Sequence, residues 1–104
     1  MEAFNGRSRV LLLLGKYEQA RADAETALTI GRAKLAPDHP WTVRSLLNLG
    51  LALRALGDTT GAYKALDEAR ERAPRAYIYD HKALADLRKA VSEANATPER
   101  KASH

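Results

Sequence analysis

The chain has 104 residues, 45% of them hydrophobic and 29% charged, with a formal net charge of +4, which bounds it to one small folded domain. It contains no cysteine, so disulfides, cysteine-ligated zinc and thiol catalysis are excluded. Aromatic residues make up only 6%, which leaves Leu and Ala to build the core, a supply suited to closely packed helices and poor for a β-sandwich.

Acids and bases are interleaved along the whole length, the pattern of solvated helix faces; a nucleic-acid interface gathers its Lys and Arg on one stripe. No apolar run approaches the roughly 18 residues of a membrane span, and Val10 to Leu14 is too short for a signal-peptide core. The expectation is a cytoplasmic protein with no membrane or nucleic-acid partner.

Five helices are legible in chain order. The first is expected over residues 3–14 and stops at Gly15, where a residue without Cβ can end a helix. Its four consecutive leucines, Leu11, Leu12, Leu13 and Leu14, cover every side of a helix, so some must lie outside an ordinary core. They are candidates for the seam of a homodimer. The second helix, residues 17–35, carries Ala20, Ala24, Ala27, Leu28 and Ile30 at three- and four-residue steps. Pro37-Asp38-His39-Pro40 then forces a turn in which Asp38 is the expected cap and Pro40 fits the first helical turn. The third helix, residues 41–56, ends at Gly57; the fourth starts after Asp58, another expected cap, and ends before Pro74. The fifth is expected over residues 77–94, with Leu84, Leu87, Val91 and Ala94 on one face. Residues 97–104 read as a disordered polar tail.

These helices repeat. Gly15 recurs as Gly57, Ala20 as Ala62, Ala27 as Ala69, and Asp38-His39 as Asp80-His81, all at an offset of 42 residues. A fixed period in this range marks an array in which each unit buries its apolar face on the next.

Leu46-x₂-Leu49-Gly50-x₂-Leu53, Ala62-x₃-Leu66 and Pro74 together resemble the tetratricopeptide repeat pattern, in which large and small positions alternate where two helices meet. The Asp38-His39-Pro40 turn before Leu46-Leu47-Asn48-Leu49 is similar to the 42-residue variant of kinesin light chains and many bacterial regulators. The first unit departs from the pattern, since Arg7 and Ser8 occupy the places held by Leu49 and Gly50 in the second. The resemblance implies an all-α fold, a short right-handed α-solenoid of antiparallel hairpins. Repeat one then spans 3–35, repeat two 40–73 and a closing helix 76–95, within a domain over 1–95 followed by the tail at 96–104. The closing helix buries best in the register that gives Ala83, Leu84 and Leu87 the core slots, which turns Lys82, Asp86, Lys89 and Glu93 outward.

Chemistry-bearing motifs are missing. There is no glycine-rich phosphate loop, G-x-S-x-G or H-E-x-x-H, and neither His39 nor His81 has a second ligand three or four residues on. No enzyme activity, metal or cofactor is expected. In the family that the chain resembles, the first helix of each pair lines a concave groove. Here that face offers an apolar floor (Leu12, Leu13, Leu47, Leu51), a basic rim (Arg9, Arg44, Arg54) and two amides, Asn5 and Asn48. By resemblance an amide at Asn48 holds an extended peptide by its backbone. The basic set of the family's carboxylate-clamp type is mostly absent. The reading is a non-enzymatic protein–protein interaction module for an acidic and apolar peptide or helix. The alternatives are a homodimerising scaffold and a sensor segment of a larger bacterial regulatory protein.

Overall fold

The computed structural model describes residues 2–78 and 80–95 and, among them, consists of five α-helices with no strand. They are α1 (Glu2–Leu13), α2 (Tyr17–Lys34), α3 (Pro40–Ala55), α4 (Thr59–Ala76) and α5 (His81–Asn95). The expected tail at 97–104 lies outside the described residues.

Two identical chain reversals set the architecture. Gly15 (φ 76°) and Gly57 (φ 89°) stand in the left-handed region, where a side chain would be strained. Each closes the preceding helix in the same way. Lys16 N donates to Leu11 O (2.9 Å) and Gly15 N to Leu12 O (3.1 Å); Asp58 N donates to Leu53 O (2.9 Å) and Gly57 N to Arg54 O (3.1 Å). Crossed bonds of this kind satisfy the carbonyls that a helix end leaves open. The result is two helical hairpins, α1–α2 and α3–α4, with α3 packed against both α2 and α4. α5 lies on α4 and touches α3, completing a short helical solenoid.

Asp58 is the cap of α4, its Oδ1 accepting from Gly61 N at 2.9 Å. Three helix ends differ from expectation. α3 is capped by His39 in place of Asp38, since His39 Nδ1 accepts from Trp41 N at 3.1 Å while Asp38 is held by two arginines of α4. α4 runs through Pro74 to Ala76. A proline two residues from the end forfeits one N–H bond, and Tyr77 N closes the turn on Ala73 O at 2.9 Å. α5 starts at His81, four residues later than expected, because Asp80 Oδ1 accepts from Ala83 N at 2.9 Å and fixes the start there.

The core runs between α3, α4 and α5, through Val43, Leu46, Leu66, Ala69, Leu87 and Val91. Gly50 is required by this packing: a Cβ built on it would stand 2.6 Å from Leu66 Cγ and 3.3 Å from the carbonyl oxygen of Ala62. Forty-two residues earlier the same crossing is solved differently. Ser8 replaces glycine, Ala24 replaces Leu66, and the buried Ser8 hydroxyl donates to Ala20 O at 2.9 Å. A larger residue on one helix is thus matched by a smaller one on the other.

A second exchange lies beside it. Arg7, at the place of Leu49, is not forced into apolar surroundings; it pairs with Asp23, at the place of Ala65, through bonds of 2.6 and 2.8 Å. The Arg7 guanidinium also sits 5.6 Å from the centre of the Phe4 ring, a cation–π contact. The outermost hairpin is thereby joined partly by charge where the inner one is joined by leucine.

Candidate functional site

α1, α3 and α5 enclose a concave cleft of about 770 Å³. Of the residues that the sequence nominated, Asn5, Arg9, Arg44, Leu47 and Asn48 line it, while Leu12, Leu51 and Arg54 do not. Leu12 and Leu51 are half-buried, Leu51 packing against the core, and Arg54 is exposed in the last turn of α3. The four leucines separate: Leu11 and Leu12 are half-buried, whereas Leu13 and Leu14 are 75% and 64% exposed.

The two amides are present but committed. Asn5 Nδ2 donates to Trp41 O (3.1 Å), Asn5 Oδ1 accepts from the Ser45 hydroxyl (2.8 Å), and Asn48 Nδ2 donates to Asn5 O (3.3 Å). Both side chains are buried, and together they tie α1 to α3. Asn48, the amide that the resemblance gives to a peptide backbone, thus has its Nδ2 engaged within the fold, and Asn5 is engaged at both ends of its amide. Their buried polar groups must find partners, and the nearest are on the facing helix.

Several lining residues were not foreseen. Trp41 stands 39% exposed at the cleft, in edge contact with the His39 ring at 5.4 Å, and Tyr77 is buried beneath it. α5 contributes Ala83, Asp86, Leu87 and Ala90. The period-3.6 pattern of α5 marks Leu87 as a core residue, but only the placement of α5 across α3 makes that face a wall of the cleft. Charge is divided. Arg9, Arg44 and Glu2 all line the cleft and make no ion pair among the described residues, while Asp86 receives a bond from Lys82 Nζ at 3.0 Å.

A second charged cluster locks the turn between the hairpins. Glu68 lies between Arg32 (3.2 Å) and Arg72 (2.9 Å), and Asp38 between Arg72 (3.1 Å) and Arg75 (2.9 Å). Donation from Arg75 holds the Asp38 carboxyl below the usual range, against an opposing push from burial and with Arg72 adding to it. At Glu68 burial pushes upward, and Arg72 and Arg32 more than reverse it, so that the carboxyl is also lowered. Arg7 does the same to Asp23, against burial.

All three carboxyls thus bind protons more weakly in the folded chain than in the unfolded one. Their contribution is complete above the ordinary carboxylate range and disappears as pH falls through the lowered folded values. The melting temperature should stay level from about pH 8 to 6 and drop below about pH 4, more shallowly in Asp38→Asn. Thermal melts monitored by circular dichroism across that range check this; equal slopes in both proteins would remove Asp38 from the account.

No helix of the described residues is long and apolar enough to cross a membrane, and no three His, Asp or Glu side chains among them gather as metal ligands. No curated protein and no solved structure matches the chain. The family model for the tetratricopeptide repeat, a fold that generally mediates protein–protein interaction, matches residues 1–75. With that match lying over the two hairpins whose glycine closures and small-to-large crossings recur at one offset, the chain belongs to the tetratricopeptide repeat family.

Proposed function

We propose that the chain is a non-enzymatic cytoplasmic interaction module whose α1–α3–α5 cleft receives an acidic, amphipathic helix from a protein partner. The observation that carries this reading is the pairing of two arginines, Arg9 and Arg44, with an apolar surface of Trp41, Leu47 and Leu87 in one concave site. Unpaired guanidinium groups steer and orient carboxylates, and the apolar floor supplies the area that association buries.

A helix fits this site better than an extended peptide. An extended chain brings unpaired N–H and C=O groups that need partners. Asn5 has both ends of its amide engaged and Asn48 has its N–H engaged, so little remains to serve them. A helix satisfies its own backbone and offers only side chains.

Binding of acidic amphipathic peptides is measurable through the fluorescence of Trp41, the single tryptophan of the chain. The double variant Arg9→Ala/Arg44→Ala should bind about tenfold more weakly, since exposed charge contacts are worth up to about 1 kcal/mol each. Its far-UV spectrum should not change. Undiminished affinity in that variant discards the cleft as the site. The bare apolar residues Val10, Leu13 and Leu14 favour a second reading, that of a self-associating scaffold, alone or as a sensor segment of a larger bacterial regulatory protein.

A further inference from the structure

The face of α1 turned away from the core carries Ala3, Gly6, Val10 and Leu13, at helical steps of three and four, and all four are exposed. Val10 and Leu13 are 53% and 75% exposed, and Leu14 beside them 64%. Gly6 has no reason to be glycine within this chain. It lies mid-helix without a positive φ, and a Cβ added there meets nothing within 4 Å. Glycine in a helix interior costs about 1 kcal/mol relative to alanine. Gly50 repays that cost through its contact with Leu66; Gly6 repays it only if another backbone comes close.

The same face of α3 is already an interface. Ser45, Asn48 and Ala52, each 42 residues beyond Ala3, Gly6 and Val10, are buried where the first hairpin packs on the second. There the contact is polar, written in Asn5, Ser45 and Asn48. At Ala3, Gly6 and Val10 no side-chain donor or acceptor exists, so a further repeat presenting an asparagine like Asn5 would leave it unpaired.

A second copy fits. In an antiparallel pair of α1 helices about a two-fold axis, setting Gly6 opposite Val10 of the other copy automatically sets Ala3 opposite its Leu13. Small meets large at each level and in both directions, the self-complementarity that a two-fold interface requires. The register also brings Glu2 to the level of Leu14 of the other copy, two residues before its Lys16. Neither Glu2 nor Lys16 has an ion-pair partner among the described residues, and the two helix dipoles run in opposition. Head-to-tail stacking would instead place this apolar face on the outer side of α5, where Lys82, Lys89 and Glu93 are exposed.

The geometry points to a homodimer formed through the outer face of α1, an interaction surface that borders the cleft at Glu2 and Gly6 and extends away from it through Ala3, Val10 and Leu13. It relocates the expected seam: Leu13 and Leu14 belong to it, Leu11 and Leu12 turn inward, and Ala3, Gly6 and Val10 complete it.

Sedimentation and light scattering of the full chain from about 1 to 500 μM should show dimer giving way to monomer on dilution, as mass action requires. Gly6→Leu and Leu13→Glu should each be monomeric throughout, with the far-UV spectrum of the parent. Glu2→Lys should weaken association severalfold and Glu2→Lys/Lys16→Glu restore it. A parent chain that is monomeric at every concentration overturns the proposal, whatever else covers the face. So does a dimer indifferent to both Gly6→Leu and Leu13→Glu. Should Gly6→Leu misfold, Leu13→Glu, at a position 75% exposed, decides alone.

Discussion

Gly50→Ala is expected to destabilise the chain by about 1–3 kcal/mol, the usual cost of overpacking, although alanine is the better helix former by about 1 kcal/mol. The new methyl would press on Leu66 Cγ at 2.6 Å, and Leu66 is wholly buried with little space to yield. Leu66→Ala alone should cost about 2–5 kcal/mol through the cavity that it leaves. The informative variant joins the two positions. Gly50→Ser/Leu66→Ala installs in the second hairpin the pair that the first already uses, Ser8 with Ala24, including a hydroxyl placed to reach the carbonyl of Ala62 as Ser8 reaches that of Ala20. Its loss should be smaller than the sum of the two single losses by about 1 kcal/mol or more. Urea denaturation of the four proteins measures the difference. Strict additivity would mean that the Ser8–Ala24 crossing is not a substitute for the Gly50–Leu66 one.

That crossing also marks how far the sequence can be read. Gly15, Gly57 and Asp58 announce the helix ends because their chemistry is local: a positive φ, a carboxylate three residues from an open N–H. Leu46, Leu66 and the alanines between the helices announce the packing because the period is regular. Arg7 read alone suggests a worn repeat. Its meaning appears only with Asp23, sixteen residues on, which replaces Ala65 at the same contact. Asp38 has the composition of a cap, yet Arg72 and Arg75 lie 34 and 37 residues away and draw it off, leaving the cap to His39. α4 passes Pro74 because the cost of a proline falls near a helix end, and residue type alone does not record that position.

The cleft was legible to the same extent. Arg9, Arg44 and Leu47 stand where the helical pattern puts them, since a face opposite the core is a matter of period. The wall supplied by α5 was not legible, because it depends on where α5 crosses α3. Nor was the fate of the amides. Asn5 and Asn48 share the helix face of the arginines, but a short side chain close to a facing helix is captured by it, while a long one extends beyond.

Asn5→Leu is accordingly expected to cost about 1–3 kcal/mol, by leaving buried polar groups of α3 without the partner that Asn5 now provides. Ser45 can turn to Trp41 O, 2.9 Å away, which limits the loss at its hydroxyl; no other donor on α1 replaces Asn5 Nδ2 at that carbonyl. Ser45→Ala should therefore cost less in the Asn5→Leu background than in the parent chain, because the bond to Asn5 Oδ1 is already gone, a coupling read directly from thermal or urea unfolding. Asn5→Leu and Arg9→Ala/Arg44→Ala then separate the two roles that meet in the cleft. The arginine pair should alter affinity and its dependence on salt with stability unchanged, because neither guanidinium group is paired with another side chain among the described residues. Asn5→Leu should lower stability first, and affinity only as far as α1 shifts against α3. If Asn5→Leu instead unfolded like the parent chain and bound the peptide less well, the amide would be a contact of the partner, and the polar seam between the hairpins would not be what positions the cleft.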